Sequence, residues 1–227
     1  MQAPTTRRAR RKAERPAEIL DAAFEEFVRN GYAATRLEDV AQLAGVTKGT
    51  IYFYFDTKER VFEEMIRRNS QPICDELTAF IATLDGRYVD RLRTLIAFLY
   101  RRIVEDRVAR ETMRSLIAEG RRFPDLVDRH SAEVIQPFVE RLRELLVAGI
   151  AAGEFRDTPA LKFAEIILSP MMLLNVWGML YDDRRQIDVK DFIDVHLDLL
   201  LNGLAIRSHP DATNAASCVS DRSLSND

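Results

Sequence analysis

Cysteine, histidine, glycine and proline are all scarce in this 227-residue sequence, and each shortage excludes a class of structure. The two cysteines, Cys74 and Cys218, are far apart, so they predict no disulfide framework and fit a reducing compartment. Three scattered histidines provide no metal-ligand spacing, and we expect neither a metal nor another cofactor. Nine glycines and eight prolines are too few for a turn-rich β architecture, which favours helices.

Catalytic patterns and long hydrophobic runs are missing as well. No Ser/His/Asp, Cys/His or metal-binding constellation is found in the sequence, so it does not predict an enzyme. The longest nearly apolar run, residues 166–181, has 16 residues and contains Pro170 and Asn175, whereas a bilayer-spanning helix needs about 20. No apolar segment follows the basic N-terminus as in a secretory signal. We therefore expect a cytoplasmic protein that does not enter membranes.

Charge is distributed unevenly although the net charge is only −3. Residues 1–68 carry 13 basic and 11 acidic side chains, and residues 69–227 carry 20 and 25. Six of the basic residues lie within the first fifteen positions, where Glu14 is the one acid. This basic segment, predicted as a disordered arm over residues 1–14, either solubilises the chain or follows a DNA minor groove and its flanking phosphates.

The N-terminal part of the sequence has helical periodicity. Apolar residues from Ile19 to Val28 recur at the spacing of one helix face, and Asn30-Gly31 predicts the end of that helix. A second, short helix follows, with Thr35 and Glu38 as a predicted capping box and Gly45 as its stop.

The stretch "TKGTIYFYFDTKE", residues 47–59, has the aromatic and β-branched composition of a strand. It is nevertheless bounded by two predicted helix starts: Thr47 is one cap, and either Asp56 or Thr57 is the next. Ile51 and Phe55 are four residues apart, as on one face of a helix. Since no alternating partner strand occurs elsewhere, a helix is favoured over a buried strand.

Downstream of this stretch every apolar pattern has a helical period, so the predicted fold is all-α with about nine helices. The domain prediction has four parts: a basic arm (1–14), a helix-turn-helix unit (15–60), a helical regulatory and dimerisation domain (61–207) and a disordered tail (208–227). The helices predicted over 160–181 and 189–207 are apolar around most of their circumference, which predicts contact with a second subunit in addition to their own core.

A short helix after a tight turn at Gly45 is typical of the recognition helix of a helix-turn-helix. Lys48 and Thr50 are predicted to point away from the core side that Ile51 defines. Gly49 has no side chain, so the backbone can approach DNA closely. Lys58, at the start of the following helix, adds a further cation for phosphates.

The segment "ILDAAFEEFVRNGYAATRLEDVAQLAGVTKGTIYFYFDTKERVF", residues 19–62, resembles the DNA-binding domain of the TetR family of ligand-responsive transcriptional regulators. "EGRRFPDL" and "GEFR" further downstream resemble one regulatory-domain subgroup of that family. The resemblance implies an all-α homodimeric repressor that binds double-stranded DNA at a palindromic operator and is released by a small apolar or amphipathic inducer.

Site residues carried over from the resemblance fall into three sets. The predicted DNA-binding set is Thr35, Arg36, Thr47, Tyr52 and Lys58 toward phosphates and Lys48, Gly49, Thr50, Phe53 and Tyr54 toward the groove. The predicted ligand-binding set is Phe98, Arg102, Met113, Ile117, Phe138, Leu142, Met171, Met172, Asn175 and Trp177, each of which is alternatively ordinary core. The predicted dimer interface is Leu168, Phe192, Val195, His196, Leu199, Leu200 and Gly203.

Phe53 departs from the family, which often has histidine at this position. A phenylalanine can contact a thymine methyl group but cannot donate a hydrogen bond to a base. The alternative to a ligand-responsive regulator is an architectural DNA-binding protein without a ligand, which would select no palindromic site.

Overall fold

The computed structural model describes residues 7–181 and 184–205, and these form an all-α fold, as predicted. The ten α-helices are α1 (Arg7–Ala34), α2 (Leu37–Leu43), α3 (Lys48–Tyr54), α4 (Lys58–Thr83), α5 (Tyr88–Leu99), α6 (Arg107–Glu119), α7 (Pro124–His130), α8 (Gln136–Ala151), α9 (Ser169–Tyr181) and α10 (Val189–Leu204). A π-helical turn, Ser131–Ile135, joins α7 to α8 into one continuous helix, so the ten α-helices form nine separate helical segments within the described ranges. The predicted tail, 208–227, lies outside them.

Helix α1 begins at Arg7, so the prediction of a disordered arm over residues 1–14 is wrong from residue 7 onward. The reason is local composition, because Arg, Lys, Ala and Glu are all good helix formers. Gly31 has a φ of 73°, a conformation that favours glycine, and it interrupts α1 at the predicted place. Gly45 has a φ of 63° and turns the chain between α2 and α3.

Helix α4 runs without interruption through Pro72 and across the predicted domain boundary at residue 60. Thr57 caps it, since its side chain accepts a hydrogen bond from the backbone N–H of Arg60 at 3.1 Å. The first half of α4 buries Val61 and Phe62 in the N-terminal core, and Leu77 in its second half belongs to the C-terminal core. The predicted domain boundary at residue 60 therefore lies within a continuous helix.

The N-terminal core is formed by α1, α2, α3 and the first half of α4, together with three residues from the C-terminal part of the chain. Leu116, Phe123 and Leu126, from α6, the α6–α7 turn and α7, are buried in it. The ring of Phe123 lies edge-on to Tyr32 at 4.9 Å between centroids. Residues of the predicted regulatory domain therefore complete the N-terminal core.

The predicted helix over residues 160–181 is divided. Residues Pro159–Leu168 form a 3₁₀ segment with a non-helical φ/ψ at Phe163, and α9 starts only at Ser169. Pro170 lies in the first turn of α9, where its missing N–H costs no hydrogen bond. Pro137 occupies the equivalent place in α8. Both prolines therefore lie at helix starts.

The "GEFR" segment closes the C-terminal core by joining α8 to α10. Phe155 is fully buried and forms an isolated β-bridge with Ala205, and the N–H of Arg156 donates to the carbonyl of Leu204 at 2.8 Å. Gly149 of α8 lies directly against the Phe155 ring, so that a methyl group there would overlap the ring and lie 3.1 Å from Cβ of Tyr88.

Replacing Gly149 with alanine should therefore lower the free energy of unfolding by about 1–3 kcal/mol, since neither the buried ring nor the backbone can yield without cost. Chemical denaturation is the measurement. Gly178→Ala in α9 is the matched control, because nothing lies within 4 Å of its added methyl group. Equal stability of the two variants would contradict the assigned packing.

Candidate nucleic-acid interface and ligand cavity

Helix α3 begins at the predicted cap. The Thr47 side chain accepts a hydrogen bond from the backbone N–H of Thr50 at 3.1 Å, and the hydroxyl groups of the two threonines are 2.9 Å apart. The favourable cap explains why a segment with strand-like composition forms a helix here. The helix prediction for residues 48–54 is confirmed.

The two sides of α3 have opposite environments. Ile51 is fully buried and Phe55, just after the helix, is 6% exposed, whereas Tyr52 and Phe53 are 44% and 69% exposed. Tyr54 is half-buried, with its ring edge-on to Phe53 at 5.0 Å. The aromatic run therefore divides as predicted, with Ile51 and Phe55 fixing the orientation of the exposed pair.

Gly49 lies on the exposed side of α3 and has space around it. A methyl group added there would have the Thr47 hydroxyl as its nearest neighbour, at an ordinary 3.8 Å. Helical glycine destabilises a helix by roughly 0.5–1 kcal/mol relative to alanine. The fold itself thus gives no reason for a glycine at this position.

Lys48 is held by the preceding helix. Its Nζ lies 2.5 Å from Oε1 of Glu38 in α2 and 5.6 Å from the ring centroid of Tyr52. The hydrogen bond lowers the pKa of the Glu38 carboxyl and raises the pKa of Lys48. Both side chains are well exposed, so the pair is open to solvent and to a competing anion.

Thr35 was predicted to cap α2 and to contact a phosphate, but the structure buries it. Its side chain is 2% exposed, and its hydroxyl donates to the carbonyls of Glu26 and Gly31 at 3.0 and 2.7 Å. The predicted capping box is therefore wrong: Arg36 is the residue before α2, and Glu38 pairs with Lys48. The turn at Gly31 places Thr35 under the end of α1, where it satisfies free carbonyls.

Lys58, the first residue of α4, is partly desolvated. Its Nζ donates to the carbonyl of Ala33 at 3.2 Å and lies 4.5 Å from the ring centroid of Tyr32. Desolvation lowers the pKa of Lys58, and the positive charge of Arg122 lowers it further. Among the predicted phosphate contacts, Arg36, Thr47 and Tyr52 are exposed and Lys58 is half-buried.

An open apolar cavity of about 630 Å³ lies between α6, α7, the π-helical turn and α9. Its walls include Met113, Ile117 and Met172 from the predicted ligand set. The sequence prediction missed its other apolar walls, Leu116, Pro124, Val127 and Ile135. Pro124 and Val127 follow the "RRFP" turn, the one sequence signal that pointed to this region.

The other seven predicted ligand residues do not line this cavity and pack or pair elsewhere in the structure. Phe138, Leu142 and Met171 are buried in the C-terminal core. Four more contact neighbours: Phe98 stacks on Phe80 at 4.0 Å, Arg102 pairs with Glu76 and Asp106, Asn175 donates to the carbonyl of Met171, and the Trp177 indole N–H donates to the carbonyl of Arg185. Oδ1 of Asn175 has no hydrogen-bond partner in the part of the chain described here.

Two residues of the predicted dimer face lie on the surface of the monomer. Val195 and Leu199 of α10 are 59% and 70% exposed. His196, in contrast, is buried, and its Nδ1 lies 2.8 Å from the Tyr100 hydroxyl. Burial lowers the pKa of His196 and raises the pKa of Tyr100 to about 12. His196 was thus wrongly assigned to the interface; Leu168, Phe192, Leu200 and Gly203 are half-buried.

One segment of the described chain, Lys162–Tyr181, is long and apolar enough by composition to cross a membrane. It has 20 residues, and 28% of its most apolar stretch is buried within the monomer. The structure divides this segment, and its α-helical part, α9, has 13 residues. Within the described ranges, no group of three or more His, Cys, Asp or Glu side chains is placed to hold a metal.

Comparison with known proteins agrees with this arrangement. Residues 19–65 match the family model described as bacterial regulatory proteins, tetR family. Residues 91–194 match that of the AefR-like transcriptional repressor, C-terminal domain. The HTH-type transcriptional repressor KstR2 of Rhodococcus jostii is 28% identical over 200 residues, which cover 86% of this chain and 93% of that protein.

Solved structures share the fold. A transcriptional regulator from Saccharomonospora viridis in complex with choline has a TM-score of 0.74 at 21% identity, over 86% of this chain and all of that one. The regulator FadR from Bacillus subtilis in complex with stearoyl-CoA has a TM-score of 0.62 at 22% identity, over 82% and 98% of the two chains. Both the N-terminal and the C-terminal matches lead to one conclusion: the chain belongs to the TetR family of transcriptional regulators.

Proposed function

We propose that this member of a family of DNA-binding regulators, which are not enzymes, is a cytoplasmic homodimeric repressor. It binds a palindromic operator through α3 and is released by a small apolar or amphipathic molecule. The observation that carries the proposal is the two-sided α3. Its inner side is fixed by Ile51, while Gly49, Tyr52 and Phe53 are exposed together.

The contacts with DNA divide by chemistry. Lys48, Thr50 and Phe53 face the major groove, where a lysine can donate to guanine and a phenylalanine can contact a thymine methyl group. On binding, Lys48 gives up its ion pair with Glu38 and contacts the DNA instead. Other side chains position the helix on phosphates, with Arg36 taking the place that the buried Thr35 hydroxyl cannot fill.

A second copy of the chain covers the exposed apolar side chains of α10 and of the segment before it. Leu199, Ile166 and Leu180 are each at least 62% exposed in the monomer, which is costly for a protein in water. A two-fold symmetric dimer presents two copies of α3. Their spacing would match successive major grooves, about 34–36 Å apart, which is why the operator is palindromic.

The apolar cavity is the proposed inducer site. Its volume is within the range of roughly 300–1,000 Å³ that is usual for small-molecule pockets. The stearoyl-CoA bound to one of the two similar structures is amphipathic, which supports the same ligand class here, whereas the choline bound to the other is a small polar cation. Leu116 lines the cavity and is also buried in the N-terminal core, so a ligand contacts a residue that packs on the DNA-binding half.

Release then follows from a two-state equilibrium. A ligand shifts the population toward the conformer that it binds more tightly, and DNA affinity falls by the ratio of those affinities. The conformer selected by the ligand has its two α3 helices at a separation that does not fit the grooves.

The direct test is to select operator sequences from random duplex DNA with the full chain, then to screen amphipathic molecules for release. The expected result is a palindromic site and a releasing molecule whose effect is weakened in Ile117→Trp, because the larger side chain occupies part of the cavity. Selection of no preferred site would contradict the proposal and favour an architectural protein. Release that is unchanged in Ile117→Trp would place the inducer elsewhere.

Gly49→Ala should weaken operator binding about tenfold, because the added methyl group separates the α3 backbone from DNA. Thermal unfolding should be unchanged or shifted slightly upward, since the protein has space for the methyl group. Fluorescence anisotropy with labelled operator is the measurement, and Gly178→Ala is the matched control. Undiminished binding by Gly49→Ala would exclude a close backbone approach.

Leu199→Glu should dissociate the dimer at micromolar concentration, because it places a charge in an apolar interface. Val147→Glu is the matched control, since Val147 is also an exposed apolar residue, at 50%, but lies on α8. Analytical ultracentrifugation should find a monomer for the first variant and a dimer for the second. A dimeric Leu199→Glu would show that α10 is not the interface.

A further inference from the structure

Pro124 of the "EGRRFPDL" motif lines the proposed inducer cavity, whereas Arg122 and Phe123 of the same motif contact the DNA-binding half. The Phe123 ring is 4.9 Å from Tyr32 and 5.2 Å from Phe62 between centroids. The guanidinium carbon of Arg122 lies 4.7 Å from the ring centroid of Tyr32. Two consecutive residues of the α6–α7 turn therefore contact one tyrosine at the end of α1.

The same tyrosine also contacts the first two residues of α4. Nζ of Lys58 is 4.5 Å from its ring centroid, and its hydroxyl donates to Oε1 of Glu59 at 2.8 Å. Tyr32 is 3% exposed, whereas Lys58 is half-buried and Arg122 is exposed, so one buried ring contacts two cations that remain in contact with solvent. We call Tyr32, Lys58, Glu59 and Arg122 the Tyr32 junction.

The charges of the junction act on one another. Lys58 and Arg122 both lie within 5 Å of one ring centroid, so the two positive charges are within about one Debye length, roughly 8–10 Å. The charge of Arg122 lowers the pKa of Lys58, while Glu59 and Glu119 oppose this effect. The position of Arg122 therefore changes the electrostatic environment of Lys58.

The α6–α7 turn, which carries Arg122, is tightly packed around Gly120. The backbone N–H of Arg122 donates to the carbonyl of Glu119 at 2.8 Å. A methyl group on Gly120 would lie 2.7 Å from the carbonyl oxygen of Leu116 and 3.0 Å from Cγ2 of Val127. Because this turn is tightly packed against the end of α6, we expect the two to move together. The other side of α6 lines the cavity.

We infer that Arg122 is a positioning residue for DNA binding: by stacking on Tyr32 it holds the α6–α7 turn against the first turn of α4 and sets the place of Lys58. The inference rests on the proposed function, because it takes Lys58 as a phosphate contact. A residue of the regulatory half thereby acts on a DNA contact through a single shared ring.

The test compares Arg122→Gln with Arg121→Gln, which removes the same charge from a likewise exposed neighbour outside the junction; because Arg121 lines the cavity, all binding is measured without an inducer. The probe is duplex DNA selected by the full chain. Arg122→Gln should weaken binding about three- to tenfold more than Arg121→Gln, as expected from the loss of one cation–π contact. Combined with Lys58→Gln, it should depart from additivity by at least about threefold, whereas Arg121→Gln with Lys58→Gln should be additive.

A second measurement needs no DNA. The Lys58 side chain, observed by NMR during a pH titration, should have a higher pKa in Arg122→Gln, because removal of a nearby positive charge favours the protonated form. Arg121→Gln should leave it unchanged. Thermal unfolding of each variant verifies that the compared proteins are folded.

Several outcomes would overturn the inference. DNA binding with equal effects of the two variants, or with additive effects of Arg122→Gln and Lys58→Gln, would refute it and leave the proposed function intact. A salt slope reduced by about one for Arg122→Gln alone would show that Arg122 binds a phosphate itself. No binding to any duplex by the unaltered chain would refute the proposed function, and this inference with it.

Discussion

The aromatic cluster of Phe27, Tyr32, Phe62 and Phe123 joins three distant stretches of the chain. Its neighbouring rings lie 4.9–5.7 Å apart. Each such pair contributes about 0.5–1.5 kcal/mol beyond the burial of its surface. Because Ile51 is buried in the same core, α3 is oriented by packing that includes the regulatory half. The orientation of α3 therefore depends on the packing of the α6–α7 turn as well as on the N-terminal helices.

Much of the DNA-binding half could be predicted because its determinants are local. Thr47 caps its helix through residues next to it in sequence, and the four-residue spacing of Ile51 and Phe55 sets the buried side of the segment. Gly31 and Gly45 lie at turns whose positive φ favours glycine. For these features, short-range chemistry and the final packing agree.

The other site residues could not be predicted correctly, because their positions depend on tertiary geometry that the sequence pattern does not encode. Thr35 has the spacing of a capping box, but the turn at Gly31 buries its hydroxyl. The π-helical turn between α7 and α8 inserts a residue, which rotates later side chains by about 100° relative to a regular helix. Phe138 and Leu142 follow this turn in α8; they were predicted as ligand residues or, alternatively, ordinary core, and both are buried in the C-terminal core.

Pro72 lies inside α4, between the last residue buried on the N-terminal side, Ser70, and Leu77 in the C-terminal core. Proline has no N–H, so the carbonyl of Arg68 has no partner in the hydrogen-bond ladder at this point. Within the described ranges, α4 contributes buried residues to both cores, and the missing hydrogen bond lies between its two contributions. Bending α4 at this residue therefore breaks one backbone hydrogen bond fewer than bending it elsewhere.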